Sequence, residues 1–258
     1  MGQGQARVIA VANQKGGVGK TTTALSLGAA FSHLGSRTLV LDLDPHASAT
    51  IHLAFDPEGT GETVMDLFSR AASVEAWQRT IRSRDWLHFD FVPGSIRLSD
   101  LETDLKDLQG KGILLQRSLQ QVLDQYDVIL LDCPPQLGVI LVNALVASRL
   151  TIIPIQTEFL ALHGLRLIFD TMRMLNKALP EPITYKALAT MYDRRVSASH
   201  RVFSILRRKL GDRIFSTVIH VDTKLREASA QGKVIYDIAP KSQASREYLQ
   251  LAKEIAAP

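Results

Sequence analysis

Between Lys15 and Thr22 the chain reads Lys-Gly-Gly-Val-Gly-Lys-Thr-Thr, the stretch best suited to chemistry on a phosphate chain. Gly16, Gly17 and Gly19 let successive backbone N–H groups converge on phosphate oxygens with no Cβ in the way. Lys20 is placed to reach the β- and γ-phosphates of a nucleotide, and the Thr21 hydroxyl to ligate Mg²⁺. Gly16, Gly17, Val18, Gly19 and Thr22 complete the nucleotide-binding set with Lys15, Lys20 and Thr21. A glycine is usual five residues before Gly19, where this chain has Gln14, and Lys15 follows it. Two acidic segments accompany the loop. Asp42 and Asp44 fall on one side of a strand end by the two-residue period, and Asp132 ends a second apolar run before Pro134 and Pro135. Asp44 and Asp132 read as nucleotide-facing carboxylates. For Asp42 a turn or loop cap before Pro45 is an equal alternative.

These residues need rigid elements behind them. Val8–Val11 reads as a buried strand and Thr22–His33 as a helix, with Gly35 as its stop, so that a strand feeds a glycine turn that opens a helix. Further strands are expected at 38–44, 87–92, 126–132, 150–155 and 185–191. Helices are expected at 63–68, 73–81, from a Ser99/Glu102 capping box through Leu105, at 113–125, around Asn143, through Leu179, and at 199–210. Alternating strands and helices imply an α/β fold, with a mainly parallel twisted sheet flanked by helices on both faces. In such a sheet ligands sit beyond the carboxyl ends of the strands. At 258 residues, with no internal repeat or low-complexity tract, the chain reads as one domain over 1–258.

Composition narrows the partners. Hydrophobic residues make up 46% and charged residues 22%, as in ordinary soluble domains. No apolar run approaches the roughly 18 residues of a membrane span. Met1–Gln5 is too short and polar for a signal peptide, so a cytoplasmic setting is expected. The lone Cys133 leaves no disulfide framework or cysteine metal site within one chain. Net charge is +4, yet Lys186–Gln250 holds 13 Lys and Arg against 6 Asp and Glu. In 199–210, Val202, Phe203, Leu206 and Leu210 share one helical face, leaving Arg201, Arg207, Arg208 and Lys209 on the other. With Arg194, Arg195, Lys224 and Arg226 (these last two, with Lys233, in a later loop) they form a candidate phosphate-gripping patch for duplex DNA; a solvated charged face is the bland alternative. No aromatics interleave to stack on single-stranded bases, and no N-terminal extension holds a helix-turn-helix.

The Lys15–Thr21 stretch resembles the deviant Walker A loop of the ParA/MinD group of P-loop ATPases. The likeness to small chromosomal-type ParA proteins, or to an orphan ParA-like member, extends over Asp42-Leu43-Asp44-Pro45, Asp132-Cys133-Pro134-Pro135, Asn143-Ala144-Leu145, Ile153-Pro154-Ile155 and Leu225-Arg226-Glu227-Ala228 with Gly232-Lys233. It implies an ATP-bound, Mg²⁺-dependent sandwich homodimer that coats the nucleoid nonspecifically and leaves it when a cargo-borne activating protein stimulates slow hydrolysis. By resemblance, Lys15 reaches the partner subunit's nucleotide, Asp44 activates water, Asp132 serves the metal shell, Gly16 leaves room for dimer closure, and Arg195 and Lys224 are the principal DNA contacts. The cargo is then a chromosome, a plasmid, or a protein cluster or organelle. His46 and His163 stand where the family commonly has glutamine and an acid, which reads as drift or as the mark of such a positioner. A MinD-like membrane regulator and a purely protein-directed ATPase remain alternatives. The former group carries a basic amphipathic C-terminal helix, whereas Glu247–Pro258 looks like a packed terminal helix with no membrane role expected.

Overall fold

A computed structural model describes residues 5–257 apart from 60, 70, 71, 106, 107, 159, 160, 178, 180 and 181, and describes 102 and 161–167 by backbone alone. The strands are β1 (Arg7–Val11), β2 (Thr38–Asp42), β3 (Asp90–Val92), β4 (Val128–Asp132), β5 (Leu150–Gln156), β6 (Tyr185–Tyr192) and β7 (Ile214–His220). They form one sheet in the order β3-β2-β4-β1-β5-β6-β7, every neighbouring pair parallel. The helices are α1 (Lys20–His33), α2 (Ser48–His52), α3 (Val74–Thr80), α4 (Asp100–Asp104), α5 (Leu114–Leu119), α6 (Val139–Ala147), α7 (Ala161–Leu175), α8 (Ser197–Leu210), α9 (Thr223–Ala230), α10 (Ile235–Ile238) and α11 (Gln243–Ala256).

Strand periodicity divides the core in two. Val8 and Ala10 join the cluster with Leu115, Ile140 and Leu141 on one face, while Ile9 and Val11 join Leu25, Leu27, Tyr248 and Leu251 on the other. The expected α/β architecture is therefore present, with helices covering both faces of the sheet. α11 packs its buried Ala244, Tyr248, Leu251, Ala252 and Ile255 against the sheet side that also holds α1. Glu254 on its outer side accepts hydrogen bonds from the Ser216 and Thr217 N–H groups of β7 at 2.8 and 3.0 Å, covering an otherwise open sheet edge.

Several boundaries differ from the sequence reading. β2 stops at Asp42, because Asp44 already belongs to a turn closed by the Ala47 N–H on the Asp44 carbonyl. β3 keeps only Asp90–Val92, since Arg84–Leu87 turns on itself. The Thr63 segment is a 3₁₀ turn capped by Thr63 and Asp66. Ser99 caps nothing: it sits in helical backbone and its hydroxyl donates to the Ile96 carbonyl at 2.9 Å, while the Glu102 side chain lies outside the described residues. α5 gives way after Leu119 to turns whose Gln121 and Val122 N–H groups reach back only three residues. α7 stops at Leu175, and Asn176 Oδ1 then accepts from the Ile183 N–H at 2.8 Å. β7, α9 and α10 were not anticipated, and Lys224 and Arg226, expected in a loop, lie on α9.

Candidate functional site

The loop joining β1 to α1 is tied down at both ends. Asn13 is buried, donating from Nδ2 to the Pro154 carbonyl of β5 at 2.7 Å and accepting the Lys15 N–H on Oδ1 at 3.0 Å. Further along, the Thr190 hydroxyl of β6 donates to the Val18 carbonyl at 2.9 Å. Gly17 and Gly19 adopt φ +74° and +90°, the left-handed region where a side chain is strained. α1 begins at Lys20, two residues earlier than its pattern suggested, so Lys20 and Thr21 occupy the first turn, where free N–H groups and the helix dipole favour an anion. Lys20 is buried, and its Nζ lies 3.4 Å from the Lys15 carbonyl. A Cβ on Gly16 or Gly17 would meet nothing within 4 Å in the single chain.

Three buried carboxylates stand at the ends of β2 and β4, with Asp42 and Asp132 facing one another in register. Asp42 is engaged within the fold. Its Oδ2 accepts from the Thr50 N–H and hydroxyl at 2.8 and 2.7 Å, its Oδ1 from the Asp44 N–H at 3.1 Å, so it anchors α2. Burial pushes its pKa up to about 6 against the pull of those Thr50 bonds. Asp44 accepts the His46 N–H on Oδ1 at 2.9 Å, and His46 itself is exposed at the rim; the side chain of His163 lies outside the described residues. Asp132 differs from both. Its two oxygens are buried and without a hydrogen-bond partner. Burial, then the neighbouring Asp42, hold its pKa well above the carboxylate range, with Thr21 and Lys20 pulling the other way. A desolvated carboxylate with both oxygens free, beside a lysine and a threonine hydroxyl, is a donor set that fits a hard divalent cation.

Lys15 forms an ion pair with Glu158 of the same chain, the segment after β5. Next to the loop, between the ends of β6 and β7 and α9, a cavity of about 380 Å³ is lined by Gly19, Thr22, Met191, Val221, Leu225 and Tyr248, among others. Its apolar walls and its place beside the phosphate loop suit a nucleotide base. Gly19 and Thr22 belong to the nucleotide-binding set read from the sequence; Met191, Val221 and Tyr248 carry no such signal, because the sequence pattern shows neither β7 nor the left-handed backbone of Met191, φ +51°.

The eight basic residues are all exposed, and Val202 and Leu206 are buried on the opposite face of α8. Arg194 and Arg195 follow β6, and Lys224 and Arg226 follow β7, beyond the carboxyl ends of adjacent strands. Not all are unengaged. Arg195 grips Asp193 bidentately at 3.0 and 2.8 Å and brings that carboxyl down to about 2. Lys224 pairs with Glu227 at 2.6 Å, Arg194 donates to His220, and Arg226 lines the base cavity. Arg201, Arg207, Arg208 and Lys209 line the outer side of α8.

A family model described as an AAA domain matches residues 6–185. Over 252 residues the chain is 36% identical to the sporulation initiation inhibitor protein Soj of Bacillus subtilis, covering 97% of this chain and 98% of Soj. With the chromosome partitioning protein ParA of Caulobacter vibrioides it shares 35% identity over 255 residues, 96% of this chain and 93% of the relative. The chain belongs to the ParA family. Among solved structures, this ParA-family chain matches cobyrinic acid a,c-diamide synthase from Mycobacterium smegmatis, crystallised with an ATP analogue and magnesium. That match has a TM-score of 0.83 and 30% identity, over 97% of this chain and 94% of the other. No helix among the described residues is long and apolar enough to cross a membrane.

Proposed function

We propose that residues 1–258 form one ATPase domain working as an ATP-dependent dimerising switch, which binds duplex DNA without sequence preference and partitions or positions a cargo. The observation that carries this reading is the buried, unpartnered carboxylate of Asp132 beside Lys20, Thr21 and the glycine loop. Lys20 and the N–H groups of Gly16–Thr22 bind the phosphates. Thr21 and Asp132 would hold Mg²⁺, which when bound neutralises charge on the β- and γ-phosphates. Asp44, fixed by the turn through His46, orients the attacking water in line with the γ-phosphate. Lys15, freed from Glu158, reaches the partner's nucleotide and stabilises charge as an arginine finger does. The open space at Gly16 supports an intersubunit reason for glycine there.

Closure of two protomers joins two basic faces, and phosphate contacts then multiply, which makes binding steep in salt. Hydrolysis separates the protomers, and a cargo-associated activating protein accelerates it. The relatives named for chromosome partitioning support this role, and nucleoid association in the cytoplasm follows from it. The packed apolar side of α11 favours DNA over a lipid surface, since that helix has no spare apolar face to insert. Phosphate release measured with Mg²⁺ and with chelator, for wild type and Asp44→Ala, tests the enzymatic half. Slow, Mg²⁺-dependent release lost in Asp44→Ala is expected; equal rates in both proteins would refute the role of Asp44. Liposome sedimentation tests the rest, and ATP-dependent pelleting would move the basic face to a membrane.

A further inference from the structure

His220 ends β7 between two concavities. On one side it lines the base cavity with Met191 and Arg226; on the other it lines an open cleft with Arg194, Arg246 and Glu247. Its two ring nitrogens have opposite duties. Nδ1 lies 2.6 Å from Glu247 Oε1, and Glu247 Oε2 also accepts the His220 N–H at 2.9 Å. A carboxylate only accepts, so the ring proton is on Nδ1. Nε2 receives the Arg194 Nε–H at 2.9 Å, and a guanidinium only donates. With both bonds made, the imidazole is neutral and its last lone pair is committed to Arg194.

The same arginine is held from behind. His200 Nε2 donates to the Arg194 carbonyl at 2.7 Å, leaving His200 Nδ1 to accept from the Tyr192 hydroxyl at 2.7 Å. The Tyr192 ring in turn stands edge-on to His220, with centroids 5.2 Å apart. The charged and titratable groups around His220 are Glu247 and Arg246 of α11, Arg194 and Asp193 after β6, Tyr192 of β6, His200 of α8, and Asp222 and Arg226 at the start of α9. Asp193 is occupied by Arg195, and Asp222 by the Lys224 and Ala244 N–H groups. Glu247 is thus the carboxylate that orients the ring.

We propose that His220 is a positioning residue joining the base cavity to the basic face: as a neutral imidazole it holds Arg194 away from DNA. A proton on Nε2 releases that arginine to a backbone phosphate. The release step rests on the reading of Arg194 as a DNA contact. Protonation turns the acceptor at Nε2 into a donor facing another donor, so the bond to Arg194 is lost while the bond to Glu247 is kept.

The joint itself is tested without DNA, by following the imidazole nitrogens through a pH titration of the full chain by NMR. Arg194→Ala is expected to shift the His220 Nε2 resonance by leaving that lone pair without its donor, and ADP to shift the His220 resonances. An Nε2 resonance indifferent to Arg194→Ala, or resonances unmoved by ADP, overturns the joint. The consequence is tested by ATP-dependent duplex DNA binding over a salt series at pH 6 and pH 8. Each released arginine steepens the log–log salt slope at pH 6 by about 0.9, so a dimer releasing one from each protomer steepens it by about 1.8; His220→Gln removes that difference and His200→Gln keeps it. Equal pH dependence in wild type and His220→Gln overturns the release step. No DNA binding by wild type at either pH overturns the reading of the basic face and the release step with it, while the titration still reports on the joint.

Discussion

Glu158→Gln keeps the length of the side chain that holds Lys15 and removes its charge. The ion pair joins side chains that are 32% and 43% exposed, so it belongs with partly solvated pairs worth about 0.2–1 kcal/mol. If Lys15 must leave Glu158 to reach the partner's phosphates, a dimer breaks this pair twice, once in each protomer. Removing it then favours closure by about 0.4–2 kcal/mol, or about 2- to 30-fold in the dimer dissociation constant at 25 °C. Sedimentation velocity with a non-hydrolysable ATP analogue, across protein concentrations that bracket the wild-type midpoint, measures this directly. Glu158→Gln is expected to dimerise more tightly, Lys15→Ala more weakly, and the double variant like Lys15→Ala alone. A Glu158→Gln dimer no tighter than wild type would refute the reasoning, because the pair would then be no obstacle to closure.

Asp132→Asn removes a desolvated charge, so thermal unfolding is expected no lower than in wild type while Mg²⁺ affinity measured with ATP falls about 10- to 100-fold; parallel losses of stability and affinity would argue for a structural role. Gly28→Ala places a methyl 2.7 Å from Val40 Cγ2 and 3.1 Å from Phe89 Cδ1, an overpacking expected to lower the urea-unfolding free energy by about 1–3 kcal/mol. Burial lowers the pKa of His52, against the bond to the Lys233 carbonyl, and burial likewise lowers that of His33. The unfolded chain therefore binds more protons just below about pH 6.5, and stability is complete above that pH and falls below it until both residues are protonated in the folded state too. Each residue contributes a slope of at most about 1.4 kcal/mol per pH unit, and His52→Gln is expected to reduce the loss seen in urea titrations between pH 7.5 and 5.5.

The phosphate loop was legible because its chemistry is written in residue type: glycines at 16, 17 and 19 followed by Lys20 and Thr21 leave few other conformations for the backbone. Buried strands β1, β2, β4 and β5 were legible because continuous apolar runs can be covered only from both sides. β7 was harder, since as an edge strand it exposes Ser216 and relies on Glu254 of α11 for its outward N–H groups, a partner 38 residues away. The base cavity was invisible for the same reason, as it forms only where β6, β7 and α9 meet. Asp42 and Asp44 look alike in sequence, yet the fold commits Asp42 to Thr50 and leaves Asp44 at the turn toward the loop. The basic residues were read correctly as exposed, but spacing alone could not reveal that Asp193, Glu227 and His220 already engage Arg195, Lys224 and Arg194. Such engagement belongs to the tertiary structure and, on the proposed DNA role, sets which cations must be released before they meet a phosphate.

The proposed switch couples ATP to DNA, and duplex binding measured at low and moderate salt with ATP, ADP and no nucleotide tests that coupling most directly. Wild type, Lys20→Ala and Arg195→Glu are compared on duplexes of unrelated sequence. Binding with ATP alone, indifferent to sequence, weakened by salt and lost in both variants, is the result expected of the switch. Equal binding with ATP and ADP, or ATP-driven dimers that leave DNA untouched, would contradict it.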